Sequence, residues 1–225
     1  MNTWFDTITL LLILSNLALL GSSQLGFCIR VVAVQGIALG LLPILFGSAE
    51  WSVHAIILAT SALALKGVVF PWLLFKALRA ADVRRETEPF VGYVLSLIFG
   101  VVALAVVLCM RSRLALPVSA DLRLMVAIAF FTVLVGFFLI VTRKKALTQV
   151  LGYLVLENGI YAFGTTISSE QPWLVEMGVL LDVFVAVFIM GIMIFHISRE
   201  FDHIDTHRLA RLSDWKQGAT EESNP

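Results

Sequence analysis

Charge is scarce in this 225-residue chain. Only 14% of its residues are charged, against roughly 25% in an ordinary soluble domain. The 16 basic and 16 acidic side chains leave no net charge. Without a basic excess, nucleic-acid binding through a positive footprint is excluded, and the balance also excludes an acidic disordered chain. The two cysteines, Cys28 and Cys109, are too few for a disulfide scaffold or an all-cysteine metal site. His54, His196, His203 and His207 are not spaced with cysteine or carboxylate as a closed metal site requires. His203 and His207 stand four apart, but on a polar tail where solvation is the expected state. There is no phosphate-cradling glycine loop and no nucleophile elbow.

Apolar residues make up 59% of the chain and are spread along its whole length rather than gathered in one core. A helix needs about 20 mostly apolar residues to cross a bilayer core. Seven runs qualify, at about 5–20, 25–46, 53–75, 90–110, 122–141, 147–167 and 172–197. The runs are continuous rather than alternating, which favours helices over barrel strands. The expected fold is all-α: a polytopic membrane domain over 1–197 with about seven transmembrane helices, then a tail over 198–225. The first run is interrupted by Ser15 and Asn16, and the first sixteen residues hold Asp6 but no lysine or arginine. It therefore reads as a retained helix rather than a cleaved signal. In the tail, a short surface helix is expected over about 206–215.

Loop cations set the expected orientation. With seven spans, one side carries Arg111, Arg113 and Arg123, while the other carries twelve basic residues, among them Arg30, Lys76, Arg79, Arg143, Lys144 and Lys145. The bias puts the C-terminus in the cytoplasm and the N-terminus outside. Pro71 is expected to kink the cytoplasmic end of the third helix. Gly36 and Gly40, four apart, offer a place for close helix packing.

Polar groups in mid-span are costly and need a reason. Gln35 lies in the second span, Lys66 in the third, Glu157 and Asn158 in the sixth, and Asp182 in the seventh. Arg30 and Lys76 lie near enough to the cytoplasmic face to snorkel out. Glu50 and His54 fall in or beside an outer loop. One explanation is a buried ion pair that fixes helix packing, Lys66 with Glu157 or with Asp182. The other is a chain of titratable groups that hands protons across part of the bilayer. Burial penalises the charged form of acids and amines alike, which brings proton exchange within reach of neutral pH. Three ionisable residues on three helices at similar depth favour the pathway.

The second and sixth runs share a pattern. Val34–Gly40 places Gln35 before glycine, isoleucine and alanine, and Leu156–Gly164 places Glu157-Asn158 before the same types. Each run follows a short basic loop and leads, through an outer loop with an acid, to a helix with one buried charge. Helices one to three and five to seven thus read as parallel copies of a three-helix unit, an arrangement known in transporters.

The segment 122–212 resembles the NuoK subunit of complex I and its antiporter relative MrpC. The likeness is carried by Gly152-Tyr153-Leu154-Val155-Leu156-Glu157-Asn158, with Asp182 as the second buried acid, although that family has glutamate there. Nearly the whole chain resembles the hydrogenase-4 component E (HyfE) family. Carrying segments are Leu63-Ala64-Leu65-Lys66-Gly67 with Pro71-Trp72, Gly152 to Gly164, Leu181 to Phe188, and Ile197-Ser198-Arg199-Glu200-Phe201-Asp202-His203-Ile204-Asp205-Thr206.

The resemblance implies a non-catalytic inner-membrane subunit of a formate hydrogenlyase-type group 4 nickel–iron hydrogenase, an oxidoreductase complex. It implies no cofactor in this chain. Its partners would be antiporter-like membrane subunits, a NuoH-like subunit and a peripheral arm carrying the nickel–iron and iron–sulfur centres. Glu157 and Asp182 would serve proton or sodium translocation, Lys66 would tune them or extend the path, and Gln35 and Asn158 would support it by hydrogen bonding. The alternatives are a subunit of a cation/proton antiporter complex and a purely structural membrane scaffold.

Overall fold

The computed structural model describes residues 3–42, 60, 63–80, 90–111, 120–167 and 191. Every regular element of more than an isolated residue among them is helical: α1 (Thr3–Gly21), α2 (Leu25–Gly40), a π-helical turn (Leu65–Val69) running into α3 (Phe70–Ala80), α4 (Tyr93–Arg111), α5 (Ala120–Thr142) and α6 (Ala146–Ile167). These correspond to the first six apolar runs. Apart from residue 191, the seventh run with Asp182 lies outside the described residues, as do the tail, Glu50 and His54. The stretches Tyr93–Arg111 and Leu122–Thr142 are each long and apolar enough to cross a membrane.

The third helix departs from expectation in length. It continues to Ala80 rather than stopping near 75, and the distortion expected from Pro71 takes the form of a π-helical turn just before it. Proline has no N–H to offer the carbonyl four residues back, and its ring crowds that carbonyl. The carbonyl in question belongs to Gly67, inside the π-helical turn. The chain widens there, and the Phe70 N–H reaches back five residues to the Leu65 carbonyl. A π-turn takes in one extra residue without ending the helix.

Short connections make α1 and α2, and likewise α5 and α6, antiparallel neighbours. The α5–α6 pair is the tightest in the bundle. A Cβ on Gly136 would lie 2.5 Å from the backbone nitrogen of Leu156, and one on Gly152 would lie 2.9 Å from that of Ile140. The two backbones meet where only glycine fits, as at small-residue contacts between membrane helices. By contrast, α4 touches the bundle through one stripe, Ser96, Gly100, Ala103 and Val107. Its other side leaves Val94, Leu95, Ile98, Val101, Val102 and Val106 more than half exposed, the pattern of a helix that meets an apolar surrounding.

Basic residues gather at one end of the bundle. There the start of α2 touches the end of α3 at Phe75 and Leu78, and Arg30, Lys76 and Lys144 are exposed. Arg143 behaves differently. It is 1% exposed, and its Nη2 donates to the Leu20 carbonyl at 3.1 Å while the guanidinium stacks 4.6 Å from the Tyr93 ring centroid. Leu20 belongs to the last turn of α1, and Arg143 itself follows α5. The C-terminus of α1, which carries partial negative charge, therefore supplies the acceptor for this cation.

Overpacking the α5–α6 seam is expected to cost about 1–3 kcal/mol. Gly136→Val should lower the thermal midpoint of the purified protein in mild detergent. Gly92→Ala, at a position whose added Cβ meets nothing within 4 Å, should leave it unchanged.

Candidate functional site

The apolar core falls into two clusters. One includes Leu19, Val32, Val135 and Val155, and the other includes Leu12, Leu39, Ile128 and Tyr161. Between them, on every one of α1, α2, α5 and α6, stands a buried polar residue: Asn16, Gln35, Thr132 and Glu157 with Asn158. Lys66 joins this layer from the π-helical turn and is 5% exposed. In so apolar a bundle each of these groups requires a partner inside the protein.

Lys66 finds its partners on α6. Its Nζ donates to Glu157 Oε1 at 2.5 Å and to Asn158 Oδ1 at 3.3 Å. It also lies 4.8 Å from the centroid of the Tyr161 ring, within cation–π range. Consecutive residues Glu157 and Asn158, with Tyr161 one turn on, wrap one ammonium group. The approach depends on Gly36, where a Cβ would lie 2.8 Å from Lys66 Cβ. Gly40 opens the next turn of α2 to Leu63 in the same way, so the Gly36–Gly40 pair does serve close packing. The second carboxylate oxygen, Glu157 Oε2, is buried without a hydrogen-bond partner.

Gln35 turns the other way. Its Nε2 donates to Ser15 Oγ at 2.6 Å and to Asn16 Oδ1 at 3.0 Å. Asn16 Nδ2 donates to Thr132 Oγ1 at 2.8 Å, and the Thr132 hydroxyl donates in turn to the Ile128 carbonyl at 2.9 Å. Of the five sequence candidates, then, Lys66, Glu157 and Asn158 converge. Gln35 belongs to a separate network across α1, α2 and α5, and Asp182 lies outside the described residues. Sequence reasoning passed over Asn16, Thr132 and Tyr161. Asn16 had been visible only as an interruption of the first run, while the spacing of Tyr161 from Glu157, one helical turn, was the available signal.

A small cavity of about 10 Å³ adjoins the pair, between α2, α3 and α6, and Gly36, Lys66, Glu157 and Asn158 are among its lining residues. Among the described residues, no three His, Cys, Asp or Glu side chains come together as a metal site would require.

Removing one partner of a buried ion pair strands the other and costs about 3–5 kcal/mol, whereas replacing both with apolar residues of similar volume is often neutral. Lys66→Met and Glu157→Leu are each expected to lower detergent stability sharply. The double variant should recover most of the loss in a double-mutant cycle read by thermal unfolding.

Three comparisons bear on identity. Residues 124–214 match the family described as NADH-ubiquinone/plastoquinone oxidoreductase chain 4L, the stretch that contains most of α5, all of α6 and Glu157. An uncharacterized protein of Mycobacterium tuberculosis, Rv0085, is 32% identical over 90% of this chain and 93% of its own length. Hydrogenase-4 component E of Escherichia coli K12 is 31% identical over 112 residues, and the same protein of Shigella flexneri matches equally. Here the match spans about half of each partner, 49% of this chain and 52% of the relative. No solved structure matches the chain. The chain therefore belongs with Rv0085 over nearly its whole length, and within it residues 124–214 are similar to chain 4L and about half of the chain is similar to hydrogenase-4 component E.

Proposed function

We propose that this chain is an integral inner-membrane subunit of a complex I-like hydrogenase of the hydrogenase-4 or formate hydrogenlyase type, and that its mid-bundle charges take part in proton or sodium translocation coupled to hydrogen production. The observation that carries the reading is the buried Lys66–Glu157 pair with one carboxylate oxygen free. Glu157 is the main protonatable group. Lys66 sets its charge state, Asn158 and Tyr161 hold the lysine, and Asp182 supplies the second acid from the seventh span. A proton added to Glu157 removes the charge that Lys66 answers, and a proton passed from Lys66 to Glu157 neutralises both. Either step changes the electrostatics of the whole layer, because a pair that attracts strongly in a low-dielectric interior stops doing so. The chain itself carries no cofactor in this reading. The redox centres sit on a partner arm, and antiporter-like and NuoH-like subunits flank it in the membrane. The basic end of the bundle faces the cytoplasm, with the N-terminus outside and the C-terminus inside.

A purely structural scaffold is the second reading, and the closure of the Lys66–Glu157 pair favours it. A lock and a proton carrier differ in what a neutral isostere does. Gln keeps an oxygen for Lys66 to donate to but cannot take up a proton. In the assembled complex, Glu157→Gln is expected to cut proton or sodium movement per hydrogen formed on the order of a hundredfold or more, with subunit recovery unchanged. Full coupling in an intact Glu157→Gln complex would select the scaffold.

The partner assignment has its own test. A gentle-detergent pull-down from the native membrane, read by mass spectrometry, is expected to recover antiporter-like subunits together with a nickel–iron hydrogenase arm. Antiporter-like subunits without that arm would place the chain in a cation/proton antiporter complex instead.

A further inference from the structure

The free oxygen of Glu157 and the cavity beside it belong together. Buried carboxylate oxygens are nearly always hydrogen-bonded, by protein or by an ordered water. Oε2 is buried and has no protein partner, yet the cavity against which Glu157 stands has about 10 Å³ of room. That is close to the least that holds one water, which also needs two to four polar groups around it. Lys66, Glu157 and Asn158 all line the space.

The rest of the lining is apolar and mostly closed. Val32, Phe70, Leu74 and Leu154 are buried, whereas Ala33 and Pro71 are partly exposed. Ala33 on α2 and Pro71 on α3 are thus the lining residues that reach the protein surface. The π-helical turn helps to create the cavity. Pro71 lines the space, and the widened turn that precedes it carries Lys66 into the interior.

We infer that this cavity is a single-water site, that the water hydrogen-bonds to Glu157 Oε2, and that it exchanges protons with the carboxyl through the gap at Ala33 and Pro71. A proton leaving Oε2 for the water makes a hydronium, which passes a proton to a second water outside the gap and returns to neutral water, leaving the carboxylate. The reverse sequence reloads Glu157, and no other reactant is consumed. The inference rests on the proton-carrying role proposed for Glu157, but its structural half can be read without it.

The experiment is a cryo-EM map of the chain in its native complex at a resolution that shows ordered water, for the unmodified protein, Ala33→Val and Ala33→Ser, together with ion movement per hydrogen formed. Valine adds methyl groups to the cavity, while serine nearly keeps its size. The expected result is a water peak within hydrogen-bond distance of Oε2 in the unmodified and Ala33→Ser proteins, its loss in Ala33→Val, and a fall in ion movement of about tenfold or more in Ala33→Val alone. No peak in the unmodified protein, or unchanged ion movement in an Ala33→Val complex whose peak is gone, overturns the inference. Coupling retained in Glu157→Gln would instead overturn the proton-carrying reading, and the map would still decide the water site.

Discussion

The bundle is organised around one ion pair that its surroundings do not easily permit. Lys66 and Glu157 face each other at 2.5 Å with side chains 4% and 3% exposed. Neither charge is tolerable there alone. Much of the local architecture serves their meeting. Gly36 is bare so that the Lys66 stem can pass α2, and the π-helical turn accommodates Pro71 while carrying the lysine inward. Asn158 and Tyr161 complete the cage around the ammonium. The α5–α6 seam, closed at Gly136 and Gly152, fixes the helix that brings the carboxylate.

A second principle orders the rest of the interior, which is stratification. Two apolar clusters enclose a sheet of hydrogen-bonding groups at mid-height. Within this sheet the Ser15–Gln35–Asn16–Thr132 network holds α1, α2 and α5 together by neutral bonds, while the charged pair joins the third helix to α6. Neutral networks of this kind give modest stability but fix register, because any axial slip leaves several buried polar groups unpaired at once. The charged pair thus sits on a frame whose heights are already set.

The sequence made the helices legible because apolar runs of bilayer length have few other solutions. Lys66 and Glu157 stood out for the cost of a charge in such a run. Their pairing was not legible, since it depends on the rotation of two helices separated by about ninety residues, and Asp182 was an equal candidate. Gln35 was sorted with the charges because it shares their depth, but depth does not fix the side of a helix on which a residue lies. Arg143 was read as an ordinary loop cation for the same kind of reason. Nothing in Arg143-Lys144-Lys145 says which of three neighbouring cations turns inward. Pro71 announced a distortion, and the rule that proline disturbs the carbonyl four residues earlier locates it, correctly, on the N-terminal side.

The inward turn of Arg143 bears on how the two halves of the chain depend on each other. The part shared with chain 4L begins at residue 124, and its described residues include two buried groups that they do not themselves neutralise. Glu157 takes its cation from the third helix, and Arg143 takes its acceptor from the last turn of α1. Both debts are settled by the N-terminal half, at different heights of the bundle. In its described residues the chain 4L-like segment is therefore a fragment electrostatically, and the helices before it act as its built-in counter-ion.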